Sequence, residues 1–229
     1  RAHAATATAR VPATDSLRPA KASPLFEDVT PLLGGHVHTD PRFDDWQQQP
    51  LLPNALSQLG AGVSWFDIDR DGDEDLIIGT GRTGHLAVFR NDGGRFVALP
   101  ARGPAASADL TTVLGMAAPE GERLVVGVSS WERPGVYGAV TMAVTREGAG
   151  EKISPAVPQL PSATGPMALA DYVGDGDLDL FVGGRATLGR YPEPASWMLF
   201  KNGGGKFELV TANSRLLEKV GLVSAALFS

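Results

Sequence analysis

The densest chemistry in the chain lies in nine residues, Asp67-Ile68-Asp69-Arg70-Asp71-Gly72-Asp73-Glu74-Asp75. Aspartates occupy positions 1, 3, 5, 7 and 9, and Glu74 adds a sixth carboxylate against one Arg. Such a set repels itself unless a cation sits among it. Calcium takes about six to eight oxygen ligands from carboxylates, carbonyls and water. Short Asp side chains at alternate positions of a tight loop can converge on one point, and Gly72 permits the positive φ that curls the chain back. The expected ligands are the side chains of Asp67, Asp69, Asp71 and Asp75 and the backbone carbonyl of Asp73. An EF-hand begins with the same pattern but needs a bidentate Glu at position 12 and flanking helices. Position 12 here is Ile78, inside a β-type run. Magnesium fits less well, since it prefers octahedral geometry with retained waters.

A second loop, Asp171-Tyr172-Val173-Gly174-Asp175-Gly176-Asp177-Leu178-Asp179, follows about a hundred residues later. Its third position is Val173, which has no side-chain oxygen. The expected ligands are Asp171, Asp175 and Asp179 with the carbonyl of Asp177, and water in the vacancy. Calcium should bind here more weakly than at the first loop; an empty structural turn is the alternative.

Both loops sit at the same place in a repeat. The first copy runs Gly62–Phe66, the acidic loop, Leu76–Gly79, Leu86–Phe89, an Asn91-Asp92-Gly93-Gly94 turn and Phe96. The second runs Met167–Ala170, the acidic loop, Leu180–Gly183, Trp197–Phe200, an Asn202-Gly203-Gly204-Gly205 turn and Phe207. Between them a degenerate copy keeps the strands (Thr112–Ala117, Leu124–Gly127, Ala139–Val144) but has lost the aspartates from its loop, Ala118 to Glu122. Phe26-Glu27-Asp28-Val29-Thr30 resembles Phe207–Thr211 and reads as the outer strand of an earlier unit. Gly221–Ser229 reads as the first strand of a further one.

Four apolar runs per unit at intervals of roughly 50 residues have the size of a β-propeller blade. The expected fold is all-β, a propeller or partial propeller of four-stranded antiparallel blades. The expected divisions are a flexible leader at 1–23, an outer strand plus connecting segment at 24–60, and blades at about 61–110, 111–160 and 161–212, with the next beginning at 213–229. The chain opens on Arg and stops where another acidic loop is due, which suggests a piece of a longer protein. Alternatives are a small ring closed by the two ends, or an open stack of blades.

Composition sets outer bounds. The 229 residues are 43% hydrophobic, enough for one globular domain, and 28 Gly and 17 Pro suit many turns between short strands. A formal net charge of −6 argues against a broad nucleic-acid surface. The absence of Cys excludes disulfides, thiolate nucleophiles and Cys-based zinc sites but does not decide the compartment. No stretch approaches the ~20 apolar residues of a spanning helix.

The acidic segments and their flanking runs resemble the FG-GAP/VCBS repeat family of integrin-α-like propellers. The segment from Leu25 to Gly60 is similar to bacterial repeat proteins of the ASPIC/UnbV-associated type, whose C-terminal domain does not occur in this sequence. The resemblance covers most of residues 60–229. It implies a secreted, periplasmic or cell-surface scaffold, stabilised by calcium and used for adhesion or for binding a protein or carbohydrate ligand. The Asp-free middle unit and Val173 depart from the family pattern.

Other candidates are sparser. His36, His38 and Asp40 alternate and would share a face of a strand, where they could hold a transition metal or do acid–base work; surface hydrogen bonding is the plainer reading. Asp44, Asp45 and Trp46 could contribute to a sugar site; the plainer reading is a loop with one anchoring Trp. Trp65, Phe66, Trp197 and Phe200 are expected in the core, and Trp131, near Pro134 and Gly135, on an exposed loop. No G-x-S-x-G, H-E-x-x-H or P-loop occurs. The favoured expectation is therefore a non-enzymatic binding scaffold; the alternative is the propeller scaffold of a polysaccharide lyase or hydrolase.

Overall fold

The computed structural model describes residues 24–58, 60–101, 103–118, 121–133, 138–146 and 150–229. The expected leader at 1–23, and Pro119, Glu120, Pro134 and Gly135, lie outside the described residues. Within them the protein is all-β, with three four-stranded antiparallel sheets, each a meander in chain order. The first sheet holds β1 (Val63–Phe66), β2 (Asp75–Ile78), β3 (Ala87–Asp92) and β4 (Arg95–Ala98). The second holds β5 (Leu110–Met116), β6 (Arg123–Val128), β7 (Ala139–Arg146) and β8 (Gly150–Pro155). The third holds β9 (Ala163–Ala170), β10 (Asp179–Ala186), β11 (Met198–Gly203) and β12 (Lys206–Leu209). The acidic loops join β1 to β2 and β9 to β10. The β3–β4 and β11–β12 hairpins turn on glycine pairs with positive φ, Gly93 (61°) with Gly94 (91°) and Gly204 (60°) with Gly205 (93°), the geometry that two-residue hairpin loops require.

The sheets pack with their first strands side by side, β1 against β5 and β5 against β9. Ile77, Val88, Val113, Leu124 and Val126 fill the layer between the first two sheets. Val125, Val140, Met167, Leu180 and Phe200 fill the layer between the second and third. Each fully buried aliphatic side chain contributes about 1.5–3 kcal/mol over leaving it in water. Close approach depends on a glycine that follows the apolar run of each second strand. A Cβ on Gly79 would lie 2.9 Å from the Leu110 carbonyl oxygen. One on Gly127 would lie 2.9 Å from Thr164 Cγ2, and one on Gly183 3.0 Å from Val223 Cβ.

Both terminal strands expected from the sequence are absent. Around Phe26–Thr30 the chain instead enters a 3-10 turn, Thr30–Leu33, with Phe26 exposed. Pro31 in the first turn has no N–H for a ladder. Residues 221–229 form no strand, because no strand among the described residues pairs with them. Their placement nonetheless repeats that of β5. The Val223 N–H donates to the Gly184 carbonyl after the third sheet's apolar run, as the Leu110 N–H donates to the Thr80 carbonyl after the first's.

Two aromatic expectations are also corrected. Trp131 is 1% exposed, packed with Leu52, Ala163 and Ala186 under the N-terminal segment. Trp65 is 50% exposed and leans on Phe96. It shares the face of β1 with Val63, which is 58% exposed, whereas the equivalent residues Val113 and Met167 are 1% and 4% exposed. The difference is coverage: β1 covers β5 and β5 covers β9, while no sheet among the described residues precedes β1.

Candidate metal centre

The first acidic loop is organised by its own aspartates. Asp67 accepts N–H donors from Asp71 (3.2 Å) and Gly72 (3.0 Å), and Asp71 accepts one from Asp73 (2.9 Å). Arg70 at φ 64° and Gly72 at φ 96° make the curl. Carboxylate oxygens of Asp67, Asp69 and Asp71 then lie within 4.8 Å of one another. Two like charges about 5 Å apart repel by roughly 1 kcal/mol in water and about 3 kcal/mol at an effective dielectric constant of 20. Burial, followed by the charges of Asp75, Asp71 and Asp67, raises the Asp69 pKa above its usual value. Grouped oxygen donors of this kind suit a hard cation.

Asp75 and Asp73 have further duties. Asp75 is fully buried and accepts the N–H groups of Ile68 (2.9 Å) and Asn91 (2.8 Å). A carboxylate has about four lone-pair directions, so two such bonds leave acceptor capacity for a cation. The Asp73 carboxylate accepts the Gly93 N–H (2.8 Å), and the Asn91 amide donates to the Glu74 carbonyl (3.1 Å). The β3–β4 turn is thus clamped onto the loop.

The second loop repeats this wiring. Asp171 accepts N–H groups from Gly174, Asp175 and Gly176. Asp179 is fully buried and accepts those of Tyr172 and Asn202, while Asp177 accepts that of Gly204. Asn202 donates to the Leu178 carbonyl as Asn91 does to Glu74. Val173 offers no side-chain oxygen at the third position, and Asp175 pairs with Lys201 at 2.9 Å. Among the described residues the three-carboxylate grouping forms at the first loop and not at the second.

The Asp-poor middle unit meets its neighbours through charge. The Arg70 guanidinium, projecting from the first loop, pairs with the buried Glu122 and also donates to the Ala118 carbonyl (3.0 Å). From the start of β6, Arg123 packs against Gly205, and the nearby charge of Asp177 partly offsets the lowering of its pKa by burial.

His36, His38 and Asp40 do not come together on a strand. The His36 ring stands edge-on to Phe89 (5.3 Å between centroids), His38 is exposed, and Asp40 turns toward Asp109 and Glu132. Asp44 caps the short helix α1 (Asp45–Gln48). Asp45 is fully buried. It accepts hydrogen bonds from the backbones of Leu56 (2.8 Å) and Ser57 (3.0 Å), the Ser57 hydroxyl (2.5 Å) and the Trp131 indole (2.5 Å). Burial pushes its pKa up, but the donors outweigh this and hold it below the usual carboxylate range. Asp44 and Asp45 are therefore anchors; Trp46 stays half-exposed beside a groove with Arg42 and Phe43.

The Asp40–Asp109–Glu132 cluster was not legible in the sequence. Its members come from three separate connections, and no spacing relates them. Burial, then the charges of Asp40 and Asp45, push Asp109 up to about 6, against the Arg82 N–H and charge. Burial, then Asp109, also raises Glu132. Comparison of the chain with protein-family models, curated proteins and solved structures yields no match.

Proposed function

We propose that this chain is a calcium-stabilised, propeller-like scaffold that binds a protein or carbohydrate ligand outside the cytoplasm, without chemistry of its own. The carrying observation is the convergence of Asp67, Asp69 and Asp71 on one point, in a loop clamped to the β3–β4 turn. Calcium there would neutralise the loop and tie β1, β2 and the turn together; the second loop would bind more weakly, for lack of an oxygen at Val173. The propeller reading is supported by three identical meanders with adjacent first strands. The uncovered β1 face and the β5-like placement of residues 221–229 add support, since a further sheet at either side would continue the stack. The extracellular setting and the binding role rest on the family resemblance.

Extracellular modules bind calcium at about 10⁻⁴–10⁻³ M. At about 10 mM calcium, binding then adds roughly 1.4–2.7 kcal/mol, or about 3–10 °C for a chain of this size. Melting with calcium and with chelator should show that rise, and Asp71→Ala should remove most of it. Identical melting temperatures under both conditions, in wild type and Asp71→Ala alike, would sink the proposal. Screening the calcium-loaded chain against polysaccharides, for retention and for cleavage, tests the binding role; turnover would overturn it.

A further inference from the structure

We infer that Asp40, Asp109 and Glu132 form a separate site for a hard divalent cation such as calcium, at the opposite end of the sheets from the acidic loops. The placement follows from the topology. Asp109 lies in the β4–β5 connection and Glu132 in the β6–β7 connection, whereas the acidic loops join first strands to second strands. Asp40 arrives from the N-terminal segment. It is held where the Thr39 carbonyl accepts the Gly81 N–H (2.8 Å) and the Thr80 hydroxyl (3.3 Å).

Carboxylate oxygens of the three residues lie within 4.8 Å of one another. Asp109 is 7% exposed and the Glu132 side chain 1%. Glu132 Oε2 accepts from Arg82 Nε (3.2 Å), and Asp109 Oδ1 accepts the Arg82 N–H (3.1 Å). Among the described residues, Glu132 Oε1 and Asp40 Oδ1 are buried atoms that accept no hydrogen bond. Asp45 provides the contrast. It is fully buried, whereas Asp40 is only partly so, and both Asp45 oxygens are supplied with N–H and O–H donors. The fold satisfies one buried carboxylate with protein donors and leaves oxygens of the neighbouring cluster open. Buried polar atoms are rarely left so without a partner. Three carboxylates against the Arg82 guanidinium leave two negative charges, which a divalent ion balances. All donors are oxygen, which selects calcium, magnesium or manganese over softer metals. Such an ion would pin the N-terminal segment across the ends of the first two sheets.

The test removes the loops first, so that its failure is distinct from failure of the loop reading. The full chain carrying Asp69→Asn, Asp71→Asn, Asp171→Asn and Asp175→Asn is equilibrated with calcium and bound ion is counted by equilibrium dialysis. One ion per chain is expected, with at least tenfold weaker affinity after Glu132→Gln or Asp109→Asn. Calcium should also slow amide exchange across residues 36–44 in the loop-disabled chain. That measurement stands even if the cluster variants fail to fold. Absence of bound calcium in a folded loop-disabled chain, as expected if the carboxyls share protons instead, would overturn the site. So would calcium binding that leaves exchange at 36–44 unchanged, or that survives both cluster substitutions.

Discussion

Individual carboxylates do three different jobs in this protein, and the neighbours of each decide which. Asp67, Asp69 and Asp71 gather oxygens; Asp75 and Asp179, fully buried, hold loop and turn amides; Asp45 joins the N-terminal segment to Trp131. Removing Asp45 leaves two backbone amides, a hydroxyl and an indole without their acceptor. Such losses cost about 1–3 kcal/mol per buried group when unrelieved, so Asp45→Ala should lose at least 3 kcal/mol in chemical denaturation. The pH dependence has a defined sign. The folded-state pKa lies below the unfolded one, so the stabilisation is present above about pH 4 and disappears as pH falls through the folded value. The gap between wild type and Asp45→Asn should therefore narrow below pH 4. A gap constant from pH 7 to 3 would show that the charge contributes nothing.

At the scale of elements, glycines govern how closely units approach. A Cβ on Gly115 of β5 would fall 2.0 Å from Phe66 Cγ at the end of β1. The ring occupies the space where a side chain would stand, so Gly115→Ala must displace it. Overpacking of this kind costs about 1–3 kcal/mol. Thermal melting should show the loss, and a double-mutant cycle with Phe66→Ala should recover part of it. Equal and additive losses would place the strain elsewhere. The edge strands show another local rule. β12 carries Lys206 and Glu208, exposed charges that discourage pairing with a second chain.

For the whole molecule, the outer flanks are unlike each other. The β1 face is bare at Val63 and Trp65. The third sheet's flank is partly screened by residues 221–229, where the Trp197 indole donates to the Gly221 carbonyl and Ala168, Phe181 and Trp197 line a shared cleft with Ala225–Phe228. Truncation after Val220 should uncover that apolar surface and promote self-association, because exposed contiguous apolar patches are association sites. Sedimentation velocity at rising concentration checks this; a truncated chain as monomeric as the parent would show that the segment screens little.

Periodic features were legible in the sequence. The order of strands, the position of each acidic loop and the glycine-pair hairpins follow from alternation, loop composition and positive-φ residues, all local along the chain. The three four-stranded units follow from repetition. What depends on packing between distant segments was not legible. Phe26–Thr30 has a strand-like composition but meets no strand to pair with, and Trp65 sits on a face that no sheet covers. Trp131 is drawn inside by Asp45, 86 positions away. Asp40, Asp109 and Glu132 belong to three connections that only the stacking of sheets brings within reach. The units and their loops could be read along the chain, because they arise from neighbours in sequence. Which faces are covered and which carboxylates meet emerged from the packing of the sheets, because contacts between units leave no regular spacing in the sequence.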